Sequence, residues 1–258
     1  MPWTFAHPAA VIPLRRYCPD VLNFPALVVG SITPDLGYHL LRRDLAAYAH
    51  SLEGSLLVCL PAGLVLLGLL CLLRDPIWYL LPEPHRSAFA PMVAARYSLR
   101  PATVLAAGIS VLLGAWTHIA WDSITHGNGW VALRVPPLQE PVFYVGNIVF
   151  PVYHVLQHLS SYLGVAVIAA AYWRWLQRVP LRGPYFQDED IWRYLLLAAF
   201  AIAAFVIGGT FAAIAADQYH GFFAWRVFVF RGAVDGVSAF IALYLFGSVL
   251  CYYVRRAA

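Results

Sequence analysis

Five long apolar runs constrain the fold of this chain more than any other feature. They cover Gly54–Leu73, Ala102–Asp122, Ile148–Trp173, Tyr194–Ala216 and Phe228–Val254. A helix needs about 20 mostly apolar residues to cross the hydrocarbon core of a bilayer, and each run is long enough. Helices satisfy their own backbone hydrogen bonds, which a membrane requires. The sequence therefore predicts an all-α, polytopic transmembrane helix bundle with about five full spans.

The balance of apolar and charged residues agrees with a membrane protein. Of 258 residues, 61% are hydrophobic and 12% are charged, whereas a soluble domain is about a quarter charged and under half apolar. The net charge of +4 comes from arginine alone, and the arginines lie mostly at the ends of the apolar runs. This placement is typical of membrane topology. We expect a lipid bilayer as partner and no nucleic acid, and the sequence leaves the oligomeric state open.

The N-terminal region has a different pattern. Pro8–Leu14 and Val21–Thr33 are apolar, but each is too short for a full span. We expect two short helices that form a hairpin, dip partway into the membrane and return Asp35 to the side of His7. We expect one integral membrane domain, 1–258, with a metal-site core at 1–165 and an additional C-terminal transmembrane hairpin at 190–258.

The spacing of His118 and Asp122 in the second run points to a metal ion. Residues four apart lie on one face of a helix, and imidazole nitrogens and carboxylate oxygens are zinc ligands. A charged carboxylate in a membrane costs roughly 2.5–3.5 kcal/mol on insertion scales. An adjacent divalent cation supplies the compensating charge. The alternative is an Asp–His hydrogen bond that lines a polar cavity.

Five further residues are candidate ligands, and Asp35 and His50 each have a simpler alternative. Asp35 follows Pro34 and can instead cap the next helix. His50 can be an interfacial residue at the start of a span, and His126 lies at the end of its helix. His154 and His158 share a helix face, and His158 is the better placed of the two. The complete set of candidate ligands is His7, Asp35, His50, His118, Asp122, His126 and His158.

Membrane topology places these candidates together. If Gly54–Leu73 starts on the side of His50, the next span returns to that side and the third span leaves from it. All candidate ligands then share one membrane face. Most arginines fall on the opposite face, with Arg42, Arg43, Arg134, Arg226 and Arg231 as the exceptions. Because positive residues prefer the cytoplasm, we expect the metal site near the outer face.

The order of the motifs resembles that of a known family. Thr4–Ala10, Gly30–Asp35, His50-Ser51, Thr117–His126 and Leu156–His158 together resemble the domain-of-unknown-function family DUF4184, a bacterial membrane family, over residues 1–165. That family is distantly similar to membrane-bound metal-dependent hydrolases and to zinc-dependent phospholipase C. The resemblance implies the inner membrane of a bacterial cell and zinc held by the seven candidates. The soluble enzymes also use an N-terminal tryptophan, whereas Trp3 lies behind Met1-Pro2. We therefore expect one or two ions.

The function expected from these residues is that of a membrane-embedded, metal-dependent hydrolase. Its substrate is expected to be a phosphoester or another ester in a lipid-like molecule. His118 and Asp122 are the expected catalytic residues, and Asp122 is expected to bridge ions or to orient the water molecule. One alternative is a metal-ion or proton-coupled transporter with the same ligands at a midplane transit site. The other is a structural membrane protein whose polar cluster fixes helix packing.

Overall fold

The structure is a computed structural model that describes residues 4–94, 100–146, 148–179 and 190–257. The chain divides into two compact units. The first contains Met1–Leu69 and Ser98–Trp175, and the second contains Leu70–Tyr97 and Leu176–Ala258. The expected division into one membrane domain with a metal-site core and a C-terminal hairpin stays a prediction.

The described residues are almost entirely helical. The chain begins with a 3-10 helix at Thr4–Tyr17, and a short 3-10 turn follows at Thr33–Asp35. The first seven helices are α1 (Phe24–Gly30), α2 (Leu36–His39), α3 (Arg43–Ala49), α4 (Leu52–Gly54), α5 (Leu60–Leu72), α6 (Arg74–Leu80) and α7 (His85–Ala94). A π-helical stretch, Ser55–Cys59, joins α4 to α5. The remaining helices are α8 (Pro101–Thr125), α9 (Val152–Leu176), α10 (Ile191–Ala216) and α11 (Gly221–Ala257).

Five helical stretches are long and apolar enough to cross a membrane, which confirms the predicted helix bundle. They are Leu52–Leu72, Pro101–Thr125, Val152–Leu176, Ile191–Ala216 and Gly221–Arg256. The third starts later than predicted because Ile148–Pro151 forms a β-strand. The fifth starts earlier than predicted because the helix also includes Arg226, whose charge interrupts the apolar run, and Arg231 lies further along the same helix. Arg231 Nη2 lies 2.9 Å from Asp235 Oδ2, one turn along.

The N-terminal helical hairpin is also present. Its first arm is a 3-10 helix that contains Pro8 and Pro13, which have no N–H to donate to an α-helical ladder. In the second arm, Asn23 caps α1 by accepting a hydrogen bond from the Ala26 N–H at 2.9 Å. Pro25 lies in the first turn of α1, where no N–H is needed. The depth of this hairpin in the membrane stays a prediction.

Glycines let α1 and α8 pack with their backbones in contact. A Cβ atom added to Gly30 would lie 2.1 Å from the Val111 carbonyl oxygen, and one added to Gly114 would lie 2.3 Å from the Leu27 carbonyl oxygen. The buried residues of α8 form a stripe along this contact. They are Ala107, Ser110, Val111, Gly114, Ala115, His118, Asp122 and Thr125. His118 and Asp122 therefore continue the packing face of α8.

The predicted connectors contain regular structure that their composition did not indicate. The segment between α8 and α9 includes a 3-10 turn at Pro136–Gln139 and two antiparallel strands, β1 (Pro141–Val145) and β2 (Ile148–Pro151). Valine, isoleucine, phenylalanine and tyrosine fill these strands, and such residues favour β-structure. The connector Leu81–Pro101 contains α7. The connector Val179–Trp192 lies mostly outside the described residues.

The second unit is held by a helix pair and a charged network. A Cβ atom added to Gly208 of α10 would lie 2.6 Å from the Gly236 Cα atom of α11. At the start of α10, the Asp190 carboxylate accepts hydrogen bonds from the Glu83 N–H and from Arg193. The Arg193 Nε–H donates to the Tyr79 carbonyl oxygen at 3.0 Å. The buried charges of Asp190 and Arg193 therefore compensate each other.

Candidate metal centre

Helix α8 supplies two ligand-type side chains at the end of its buried stripe. His118 is fully buried, and Asp122 is 7% exposed. The His118 Nε2 atom lies 3.4 Å from Asp122 Oδ2, one helical turn along. The sequence predicted that these two side chains share a face, and the structure confirms that they point inward together.

Asp35 and His50 reach the same point from two other elements. Asp35 ends the 3-10 turn after α1, and His50 follows the last residue of α3. The Asp35 Oδ1 atom lies 3.7 Å from His118 Nε2 and 3.6 Å from His50 Nε2. The His50 Nε2 atom lies 3.3 Å from Asp122 Oδ2. One ligand atom from each of the four residues lies within 4.8 Å of the other three, and together they form the four-residue cluster.

Hydrogen bonds fix which nitrogen of each histidine faces the four-residue cluster. The Nδ1–H of His118 donates to the Ser31 carbonyl oxygen at 2.7 Å, and the Nδ1–H of His50 donates to the Ala46 carbonyl oxygen at 2.7 Å. A carbonyl accepts, so the Nδ1 atom must carry the proton. In a neutral ring the Nε2 atom then presents its lone pair. Histidines that bind metals almost always donate their other N–H in this way.

The distances within the four-residue cluster suit a shared cation. Charge-assisted N–H···O bonds are about 2.7–2.9 Å long, whereas the four N···O distances in the cluster run from 3.3 to 3.7 Å. Four atoms placed about 2.0–2.1 Å from one ion in a tetrahedron lie roughly 3.3–3.4 Å apart. In addition, Asp35 Oδ1 and His118 Nε2 are buried without a hydrogen-bond partner. The donor set could therefore hold a metal ion.

The balance of buried charge also favours a bound cation. Asp35 and Asp122 are two buried carboxylates, and their ion-pair contacts are with histidines. A buried charge without compensation is expensive. The Asp35 side chain makes no helix-cap hydrogen bond. Its Oδ2 atom instead accepts a hydrogen bond from the buried Thr4 hydroxyl at 2.6 Å. Thr4 thereby turns Oδ1 toward the four-residue cluster.

Asp122 also contacts two histidines through its other oxygen. Asp122 Oδ1 lies 3.5 Å from His7 Nε2 and 3.5 Å from His126 Nδ1. The His7 ring stacks on His118 with centroids 3.6 Å apart, and both its nitrogens are buried without a hydrogen-bond partner. Burial lowers the pKa of His7 to about 2, so this ring is neutral. Asp122 therefore faces histidine nitrogens with both of its oxygens.

His126 is more constrained than His7. Its Nδ1–H donates to the Asp122 carbonyl oxygen at 3.2 Å, and its Nε2 atom accepts a hydrogen bond from the Gln157 side-chain amide at 3.0 Å. Burial lowers the pKa of His126 as well. As placed, both ring nitrogens of His126 are engaged, so His126 borders the four-residue cluster and does not complete it.

His158 is not brought to this site. It is exposed on α9, where its ring lies 5.0 Å from that of His154. The face of α9 that turns inward carries Gln157 and Ser161, both buried. The predicted ligand His158 therefore lies on the neighbouring face of this helix. Gln157 and Ser161 have the same i,i+4 spacing as His154 and His158, so the sequence pattern does not select between the two faces.

Two other contributors were missed for a different reason. Thr4 acts through a hydrogen bond across 31 residues of sequence, and Ser31 acts through its backbone carbonyl. Neither contact follows from spacing along the chain.

The site is open on one side. The His50 and His126 side chains are 23% and 24% exposed, whereas His7, Asp35 and His118 are buried. Access from solvent or from the membrane surface is therefore past His50 and His126, at the end of α8.

The comparisons with known proteins identify the family. The chain matched no curated protein and no solved structure. One family model, described as "Domain of unknown function (DUF4184)", matches residues 1–249. This range includes every residue of the four-residue cluster together with Thr4, His7, His126 and Gln157. The chain therefore belongs to the DUF4184 family.

Proposed function

We propose that this protein is a membrane-embedded, metal-dependent hydrolase that cleaves a phosphoester or another ester in a lipid-like substrate. The observation that carries the proposal is the convergence of Asp35, His50, His118 and Asp122 on one point. Both histidines turn a lone pair toward two buried carboxylates. A divalent ion of the zinc type held by these residues, with a water molecule as a further ligand, would activate that water and polarise a phosphoryl or carbonyl oxygen.

The four residues have distinct roles in this proposal. His50 and His118 bind through Nε2, because their Nδ1–H groups are held by backbone carbonyls. Asp35 and Asp122 supply the negative charge, and Thr4 fixes the orientation of Asp35. Asp122 also faces His7 and His126 through Oδ1. It is therefore the residue best placed to orient a water molecule and to accept its proton.

Asp122 also supports the use of one or two ions. One carboxylate oxygen faces the four-residue cluster, and the other faces His7 and His126. A carboxylate with this arrangement can bridge two cations, as in two-metal hydrolytic sites. The neutral His7 ring has an unpartnered nitrogen for the second position. His126 would have to release Asp122 or Gln157 first.

The surroundings support a lipid-like substrate. Asp122 lies in the last turn of α8, and the partly exposed His50 and His126 side chains both contact it. A substrate held in the bilayer can present its polar head at this level while its acyl part stays in the membrane. The resemblance to membrane-bound metal-dependent hydrolases supports this assignment, and the placement of most arginines on the opposite face supports a location at the outer face of the inner membrane.

A transporter is the second candidate, and the packing of α8 favours the hydrolase. A transport path needs polar groups through the full thickness of the membrane. On the described part of α8, the buried stripe beyond the four-residue cluster consists of Ala115, Gly114, Val111, Ser110 and Ala107. These side chains are small and carry no charge, so the ligand-type residues are confined to one end.

Turnover in proteoliposomes tests the proposal. Purified protein would be stripped with a chelator, reloaded with zinc and supplied with glycerophospholipids that contain both phosphoester and carboxyl ester bonds. We expect product release that needs metal and falls at least about 100-fold in His118→Ala and Asp122→Ala, since a lost ligand should exceed the 10–100-fold effect of outer-shell changes. His158→Ala is the matched control and should keep its activity.

Two results would contradict the proposal. The first is turnover that persists unchanged in both His118→Ala and Asp122→Ala. The second is metal flux across the vesicle membrane without any product, which would favour the transporter.

A further inference from the structure

The β1–β2 hairpin exposes apolar side chains on both of its faces. Phe143 and Val145 lie on one face, and Tyr144 and Val149 lie on the other. Their exposed fractions are 45%, 45%, 65% and 44%, in that order. A hairpin on a water-facing surface alternates apolar and polar residues. This hairpin therefore needs an apolar partner on two sides.

The hairpin is continuous with a lipid-facing span. Strand β2 ends at Pro151, and α9 begins at the next residue, Val152. The stretch from Pro141 to Trp173 contains no aspartate, glutamate, lysine or arginine. The same apolar surface thus runs from the tip of the hairpin into a helix that is long and apolar enough to cross the membrane.

Unpaired strand edges determine how deep the hairpin can lie. The sheet has two strands, so each strand has one edge whose N–H and C=O groups are unpaired within the sheet. Such edges do not occur in the hydrocarbon core, where no hydrogen-bonding partner exists. Phe143, Tyr144 and Trp130 are exposed, and tyrosine and tryptophan are typical of the aromatic belt at the membrane interface. The exposed apolar faces argue against a position of the hairpin in bulk water, and the unpaired strand edges argue against a position in the membrane core.

We infer that the β1–β2 hairpin is a membrane-interface element that lies among lipid headgroups on the same side of the bilayer as the four-residue cluster. The partner is the lipid surface itself, and the inference holds whether or not the protein is a hydrolase.

An aromatic stack ties the hairpin to α9. The Phe143 and Phe150 rings stack with centroids 4.7 Å apart, and Phe150 stacks on His154 at 5.1 Å. His158 continues the series at 5.0 Å from His154. This stack gives His154 and His158 a role as amphipathic rings at the membrane surface. It accounts for the histidine pair that the four-residue cluster does not use.

The base of the hairpin is joined to the segment that follows His126. The Gln139 side-chain amide donates to the Gly127 and Ala132 carbonyl oxygens, both at 3.1 Å. Gly127 follows His126, and a Cβ atom added to Gly127 would lie 2.7 Å from the Tyr153 ring. The Val152 N–H donates to the Glu140 carbonyl oxygen at 3.0 Å. The interface position of the hairpin therefore also sets the depth of His126.

Depth-dependent fluorescence quenching tests this inference. Single cysteines would replace Tyr144 and, separately, Val149 in full-length protein whose four native cysteines are changed to serine or alanine. Each variant would carry an environment-sensitive dye in phosphatidylcholine–phosphatidylglycerol vesicles. Val65, which is 63% exposed on the apolar helix α5, serves as the hydrocarbon control. Asp44, whose side chain is 67% exposed, serves as the aqueous control.

The predicted order of quenching differs at the hairpin and at the controls. Interfacial segments lie about 5–10 Å into the headgroup boundary. Nitroxides at the headgroup or at the glycerol end of the acyl chain should therefore quench the hairpin dyes roughly twofold more than a nitroxide near the terminal methyl. Val65 should show the reverse order, and Asp44 should respond mainly to aqueous iodide.

Three results would overturn the inference. Quenching by iodide alone would place the hairpin in water. If both hairpin positions were quenched most by the nitroxide near the terminal methyl, as expected for Val65, the hairpin would lie in the hydrocarbon core. Protection from every quencher would mean that protein, such as a second copy of the chain, covers the hairpin.

Discussion

The Nδ1–H of His118 donates to the Ser31 carbonyl oxygen at 2.7 Å, which ties a candidate ligand on α8 to the end of α1. Gly114 lies one turn before His118 and lets the two helices approach this closely. The orientation of the His118 ring therefore depends on the packing of α1 against α8.

Gly114→Ala should destabilise the protein and weaken metal binding together. The new Cβ atom would lie 2.3 Å from the Leu27 carbonyl oxygen, and overpacking of this kind costs about 1–3 kcal/mol. Gly108→Ala on the same helix is the control, because its Cβ atom would meet only Leu60 Cδ1 at 3.7 Å. Thermal unfolding in detergent, with and without zinc, measures both effects. Equal melting temperatures for the two variants would contradict the packing argument.

Thr4→Val should weaken metal binding while the fold is retained. The substitution keeps the shape of the side chain but removes the hydroxyl that donates to Asp35 Oδ2 at 2.6 Å. Loss of an outer-shell hydrogen bond lowers metal affinity by about 10–100-fold. Competition with a chromophoric chelator measures the affinity. Thr4→Ser restores the hydroxyl and should restore binding, and an equal loss in both variants would assign Thr4 a packing role.

His118→Ala and His158→Ala should separate the metal centre from the α9 histidines. Both changes remove an imidazole from a membrane helix, but His118 is fully buried in the four-residue cluster and His158 is exposed. Zinc should then protect the wild type and His158→Ala against thermal unfolding. The gain is about 2.7 kcal/mol at a hundredfold excess over Kd, and a chelator should reverse it. Protection of His118→Ala to the same extent would show that His118 is not a ligand.

His7→Ala should distinguish one ion from two. His7 faces Asp122 Oδ1 and is not part of the four-residue cluster. The variant should keep the first ion and lose any second one, because the four ligand atoms around the first position are unchanged. Zinc titration followed by isothermal calorimetry counts the sites. Loss of all binding in His7→Ala would place His7 in the first site.

The long helices and the contact between His118 and Asp122 could be predicted from the sequence because both depend on local pattern. Runs of apolar residues define the spans, and the i,i+4 spacing places His118 and Asp122 on one face. Strand β2 could not be separated from the third span in this way. Its residues are as apolar as those of α9, and hydropathy does not distinguish an interfacial strand from the start of a helix.

The face of α9 that turns inward could not be predicted for a related reason. The pairs His154/His158 and Gln157/Ser161 have the same spacing, so pattern alone does not select one. The packing of α9 decides between them. A Cβ atom added to Gly164 would lie 2.9 Å from the Ala6 carbonyl oxygen, and this contact turns Gln157 toward His126. Tertiary contacts also bring Thr4 to Asp35, far from it in sequence.

The most direct test of the metal centre is elemental analysis of detergent-purified protein, with the wild type beside Asp122→Ala. We expect the wild type to contain roughly one or two zinc-type ions per chain, in line with the four converging ligands. Asp122→Ala should contain close to none, because Asp122 contacts both His118 and His50. Wild-type protein without stoichiometric metal, or equal metal content in the two proteins, would contradict the account.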